Sequence, residues 1–353
     1  MKRIIVLAAA ALALFGWLEC SAQNTQSNRN MEELKLTQEW DKTFPKSEKV
    51  NHSKVVFVNR YGITLAADMY MPKNADGKLP AIAVSGPFGA VKEQSSGLYA
   101  QALAERGFLT IAFDPSFTGE SGGQPRYVAS PDINTEDFSA AVDYLMTREN
   151  VDASKVGILG ICGWGGIAIQ AAINDPRIKA TVASTMYDMT RVSTNGYFDS
   201  ENTATQRNAK RAAMATQRIE DYRNGTYKLG GGVVDPLPTD APQFVKDYHA
   251  YYKTQRGYHP RSLNSNNGWN VTSGLPFLNF KFFEYADELE NAVMIVHGDK
   301  AHSFYFGKDV YALLKGANKE LVVVPGASHT DLYDRTDIIP FDKIELFFKE
   351  YLK

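Results

Sequence analysis

Cysteine is nearly absent from this 353-residue chain, which has two, Cys20 and Cys162. Cys20 falls in an N-terminal segment with the pattern of a secretory signal. One thiol then remains, which excludes an internal disulfide framework. Long apolar runs are missing beyond that segment. The run from Ile4 to Leu18, behind Lys2 and Arg3, is shorter than the ~20 residues that span a bilayer, and Cys20-Ser21-Ala22 offers small residues for cleavage before Gln23. Residues 1–22 are therefore expected to be a signal peptide. The expected location is periplasmic or secreted in preference to lipidation at Cys20, with no stable membrane insertion after cleavage. Basic blocks are absent and the formal net charge is -2, which points away from nucleic acid and anionic membranes. No His/Asp/Cys cluster has metal-ligand spacing, so no metal or other cofactor is expected.

What is present alternates. Residues 23–49 are polar and read as a linker or loosely held arm. The hairpin segments Ser53–Asn59 and Ile63–Met71 follow. Apolar runs at Leu79–Ser85, Phe108–Asp114, Lys155–Gly160, Ala180–Thr185, Ala292–His297 and Leu321–Pro325 then read as buried parallel strands. Helical segments lie between them at Leu98–Arg106, Thr135–Arg148, Gly165–Ile173 and Gly307–Lys315, with Phe341–Leu352 closing the chain. This predicts an α/β fold, a mostly parallel central sheet with helices on both faces. Residues 189–289 break the rhythm and read as a mainly helical cap inserted into a core of 50–188 and 290–353, over the sheet edge where ligands bind. The cap's aromatic residues, Tyr248 to Phe283, are expected mainly to pack its core, and Arg256, His259 and Arg261 to be solvated or structural.

The chemistry centres on Gly160-Ile161-Cys162-Gly163-Trp164-Gly165-Gly166, a strand–turn–helix nucleophile elbow in which small residues let strand and helix approach. The helix that follows should bring its positive end to Cys162 and lower the thiol pKa. His329, after the last strand in Pro325-Gly326-Ala327-Ser328-His329, is the expected base. The acid has two candidates, Asp299 in Gly298-Asp299-Lys300-Ala301, narrowly favoured, and Asp188 in Met186-Tyr187-Asp188-Met189. A third reading has no orienting acid and a Cys–His ion pair. Of the two oxyanion donors, Gly163 N–H is one. Pro87 has no N–H, so Phe88 is expected to supply the other.

The cysteine elbow resembles that of the dienelactone hydrolase branch of the α/β-hydrolase superfamily, with Trp164 departing from its second glycine. Asp114 to Gly123 resembles the Asp-x-x-Gly-x-Ser-x-Gly loop of these enzymes. The segments 90–94, 256–261 and 298–303 are similar to bacterial relatives of polyketide transferases and thiohydrolases. The resemblance implies an α/β-hydrolase fold with an acid three residues past Gly298, where this chain has Ala301. The expected function is an exported acyl hydrolase acting on a small-molecule ester, thioester or lactone through an acyl-cysteine. An acyltransferase on the same site, or a catalytically silent binding protein on a hydrolase scaffold, are the alternatives.

Overall fold

The computed structural model describes Met31–Lys353; the expected signal peptide lies outside the described residues. Short Val-, Ile- and Ala-rich runs become central strands because both their faces are covered, so they need no polar alternation. The strands are β1 (Val50–Val58), β2 (Thr64–Pro72), β3 (Leu79–Ser85), β4 (Leu109–Phe113), β5 (Val151–Ile161), β6 (Ala180–Ser184), β7 (Ala292–Gly298) and β8 (Lys319–Val324). They form one sheet in the order β1-β2-β4-β3-β5-β6-β7-β8. The β1–β2 and β2–β4 pairs are antiparallel, and the remaining pairs are parallel. Every residue of β4, β6 and β7 is buried.

Three core helices follow β3, β4 and β5: α1 (Ser95–Ala104), α2 (Pro131–Met146) and α3 (Gly163–Asn174). Between β6 and β7 lies the insertion expected as a cap, with α4 (Met189–Asn195), α5 (Ala204–Asn224), α6 (Gln243–Tyr252) and α7 (Gly274–Phe277). The C-terminal part adds α8 (Phe304–Leu313), α9 (Asp331–Asp334) and α10 (Phe341–Tyr351). Helices α1 and α10 pack together on one side, and α2 against α3 on the other. Among the described residues no helix is long and apolar enough to cross a membrane.

Two features depart from a simple polar-out reading. Residues 31–49, expected as a linker, contain no helix or strand but dock on the core: Phe44 is buried, and Lys42 Nζ meets Asp68 at 2.9 Å with both side chains fully buried. Beside them Lys92 is also fully buried, its Nζ 2.7 Å from Glu93, 2.8 Å from Asp114 and 2.6 Å from Glu120. Lys54 and Arg261 join the same carboxylates, Lys54 2.8 Å from Glu120 and Arg261 2.9 Å from Glu93. Glu93, Asp114 and Glu120 lie close enough together to ligate a cation, a place the Lys92 ammonium fills. Buried charges persist in this way only when paired and hydrogen-bonded.

Candidate active site

The register of the parallel strands decides which loops meet. Ser85 of β3 pairs with Gly160 of β5, and Ile161 of β5 with Ser184 of β6. The loops after β3, β5 and β6 therefore leave the sheet side by side at its carboxyl edge, where open α/β sheets bind ligands. Strands β7 and β8 complete the row.

Cys162 stands at the sharpest point of this edge, with φ 59° and ψ −127°. A non-glycine residue held there costs on the order of 1–3 kcal/mol and is retained where its surroundings over-determine it. They do so here. A Cβ on Gly160 would lie 1.9 Å from the Trp164 carbonyl oxygen, and one on Gly166 2.1 Å from that of Tyr187. Cys162 N–H donates to Ser184 O at 2.9 Å, and Tyr187 N–H donates to Cys162 O at 3.0 Å. Trp164, the departure from the glycine pattern, does not line the thiol's cavity. It is buried with its ring edge-on to Phe113 and Phe138, at 5.7 and 5.4 Å between centroids.

The expected electrostatics of the thiol are corrected. Burial pushes the Cys162 pKa above its ordinary value, and the Tyr333 hydroxyl and the N–H groups of Phe88 and Gly163 only partly offset this. Desolvation of an anion outweighs a helix terminus here, so the resting group is a thiol. The same two N–H groups, Phe88 and Gly163, are the expected oxyanion donors, and both lie at the sulfur. Phe88 is fixed from the cap: its ring stacks on Trp269 at 4.4 Å, and Asn264 Nδ2 donates to its carbonyl at 2.8 Å.

His329 is buried, and both its ring nitrogens face hydroxyls. Nδ1 is 2.6 Å from Ser303 Oγ and 2.8 Å from Thr185 Oγ1, while Nε2 is 3.0 Å from the Tyr333 hydroxyl. Tyr333 and Cys162 line the same cavity, with the phenol near enough to the thiol to influence its pKa. Burial, with His302 and His297 nearby, holds the His329 pKa well below the usual histidine range. The centre is thus neutral thiol, neutral phenol and neutral imidazole, which differs from the ion pair considered from sequence.

Neither candidate acid is a hydrogen-bond partner of His329. Asp299 Oδ1 accepts from Gly326 N–H at 2.7 Å, tying the β7 loop to the β8 loop. Asp188 caps α4, its Oδ1 accepting from Thr190 and Arg191 N–H at 3.0 and 2.9 Å. Both carboxylates have backbone work that takes them away from the imidazole. Sequence reasoning missed Ser303, Thr185 and Tyr333. The signal available was the spacing of Tyr333, one helical turn after His329, and a hydroxyl two residues past Ala301.

A cavity of about 210 Å³ lies at the thiol, bounded by Cys162, Phe88, Met189, Val192, Tyr248 and Tyr252 among others. No charged side chain lines it. On one side Tyr187 links the Tyr248 hydroxyl, at 2.8 Å, to His302 Nε2. Burial lowers the His302 pKa to about 4, which keeps this wall neutral as well. Arg256 reaches from the cap to Thr330 O at 2.8 Å and to Asp334 at 2.6 Å, clamping the loop that carries His329.

A nucleophile turn after a central strand, and a histidine delivered after the last one, occur here in the chain order of an α/β-hydrolase, and the fold is of that class. Residues 61–330 match the X-Pro dipeptidyl-peptidase (S15 family), and the chain belongs to that family. It is similar to PA2218 of Pseudomonas aeruginosa, 56% identical over 352 residues, covering 98% of this chain and 94% of that protein. The crystal structure of PA2218 matches with a TM-score of 0.88 at 57% identity, covering 91% of this chain and 99% of that one. The thiohydrolase aneE of Aspergillus aculeatus is 31% identical over 39% of this chain and 42% of its own length. The α/β hydrolase GrgF from Penicillium sp. sh18 shares the fold, with a TM-score of 0.71 at 18% identity over 86% of this chain and 99% of that one. The chain is a hydrolase. The family match points to a serine-type nucleophile, whereas the elbow here carries Cys162.

Proposed function

We propose that this protein is an exported acyl hydrolase that opens an ester, thioester or lactone through an acyl-Cys162 intermediate. The observation that carries the reading is the position of the thiol: it occupies the strained elbow with two N–H donors, Phe88 and Gly163, at the sulfur. His329 acts as base. The thiol proton passes to the imidazole as sulfur bonds to the acyl carbon, and the developing oxyanion takes the N–H groups of Phe88 and Gly163. The carbon–oxygen or carbon–sulfur bond to the leaving group then breaks, and the imidazolium returns the proton to that group. Water, deprotonated by His329, attacks the acyl-cysteine, the carbon–sulfur bond breaks, and the proton restores the thiol.

Ser303 and Thr185 hold the imidazole in the place of an orienting carboxylate. This suits esters and thioesters, whose leaving groups need less protonation than an amide nitrogen. The neutral cavity favours a compact, uncharged acyl group, since a buried carboxylate would find no partner there. Transfer of the acyl group to an alcohol in place of water is the second reading, favoured by the deep burial of Cys162 and His329, 7% and 1% exposed.

Brief exposure to p-nitrophenyl acetate followed by peptide mass spectrometry should show acetyl on Cys162. Turnover without that adduct, undiminished in Cys162→Ala, would remove the cysteine mechanism. Added alcohol that yields a new ester in place of free acid would select the transfer reading.

A further inference from the structure

We infer that Tyr333 is a catalytic residue, its hydroxyl carrying the proton between Cys162 and His329. The inference rests on the acyl-cysteine reading above. In the usual arrangement the base touches the nucleophile. Here His329 Nε2 is bonded to the Tyr333 hydroxyl at 3.0 Å, and Tyr333 lines the thiol's cavity together with Cys162.

The hydrogen-bond partners permit a continuous proton chain. When Nδ1 carries its proton, it donates to the Ser303 or Thr185 oxygen. Nε2 then accepts from the Tyr333 O–H, and the phenol oxygen accepts from the Cys162 S–H. As sulfur attacks the acyl carbon, the S–H proton moves to the phenol oxygen while the phenol proton moves to Nε2. The tyrosine is neutral before and after, no free tyrosinate forms, and the proton lost by sulfur appears on the imidazole. Reversal of the same chain delivers the proton to the leaving group.

Burial supports a concerted shift. A separate tyrosinate is disfavoured, because burial and the neighbouring groups hold the Tyr333 pKa well above the phenol range. A standing imidazolium is disfavoured too, since only neutral hydroxyls face Nδ1. The tyrosinate is avoided if the two protons move together with the attack, and the imidazolium arises only as the oxyanion does, lasting until its proton passes to the leaving group. The position of the ring is set independently of substrate: Tyr251 lies edge-on at 5.0 Å, and Arg256 holds Asp334, the next residue, at 2.6 Å.

The test is the pre-steady-state release of p-nitrophenolate by wild type, Tyr333→Phe and Cys162→Ala, with a proton inventory of the acylation step in mixed light and heavy water. Removal of a proton-transfer group costs ~10²–10⁴-fold, so Tyr333→Phe should acylate about 100-fold or more slowly, with KM within about threefold. Wild type should show an inventory curved upon two exchanging protons. Acylation by Tyr333→Phe within about threefold of wild type would overturn the relay. So would a linear inventory in wild type, a readout that stands if the variant does not fold. Equal acylation by Cys162→Ala would instead remove the cysteine reading itself.

Discussion

Replacing Lys92 with Met tests the buried charge cluster, because it removes one ammonium and keeps most of the side-chain volume. Lys92 contacts three carboxylates, at 2.7, 2.8 and 2.6 Å. Glu93 and Glu120 retain Lys54 and Arg261, but Asp114 has Lys92 as its sole cationic partner among the described residues. Breaking a buried pair on one side costs roughly 3–5 kcal/mol, because the remaining charge stays desolvated. Asp114 is already pushed above the usual carboxylate range by burial, and without Lys92 it rises further. A carboxylate whose folded pKa exceeds its unfolded value binds protons preferentially in the folded state, so acid stabilises the variant relative to wild type. Urea unfolding at constant m should therefore show a loss of about 3–5 kcal/mol at pH 8 that shrinks at pH 5. A loss below about 1 kcal/mol at pH 8, or one that grows toward pH 5, would refute the reasoning.

Further outcomes follow from the histidines and their partners. Ser303→Ala, alone and with Thr185→Val, should lower kcat by roughly 10-fold or more with little change in KM, since a general base loses its orientation. By contrast, Asp299→Asn should stay within about threefold of wild type, whereas loss of a true orienting acid costs roughly 10⁴-fold; steady-state kinetics of the variants decides between them. His297 and His302 have pKa values lowered to about 4 by burial, below the ordinary histidine value. Between about pH 6.5 and 4 the unfolded chain binds protons that these rings refuse, so stability should fall as pH falls, by up to ~1.4 kcal/mol per unit for each ring. Urea midpoints at pH 7 and 5 measure it, and His297→Gln should reduce the slope by that ring's share while His302 keeps the rest.

The sheet was legible because runs such as Ala180–Thr185 and Ala292–His297 have no polar alternation and so ask for cover on both faces. The cap was legible from its interruption of strand–helix alternation. The Asp114 loop was legible for a reason the structure supplies: Asp114 accepts from Lys92 and Glu120 N–H at 2.8 and 2.9 Å, and a Cβ at Gly119 would lie 2.2 Å from its carboxyl carbon. Less visible were the groups around His329. Ala301 announced that the expected acid was missing, but what replaces it depends on β6 and β7 being neighbours, which brings Thr185 and Ser303 to one nitrogen. Linear spacing does not encode that convergence. Lys92 was invisible for the opposite reason, since a Lys-Glu pair reads as solvated surface until its burial is known.

The docked arm bears on how the site is reached. Asp41 joins Arg261 of the cap at 2.7 Å, and Thr37 N–H donates to Glu120 at 2.6 Å. Arg256, five residues before Arg261, holds the His329 loop. The cap, the arm and the loops after β3 and β4 share one charge network, to which Arg256 adds a separate pair on the His329 loop, so local opening there would break several desolvated pairs at once and belongs to the high-energy end of native fluctuations. Within the cap, α5 buries only Asp221. Hydrogen exchange should therefore be faster in α5 than near Lys92 and Arg261, so the cap yields at α5 before it yields at the charge network.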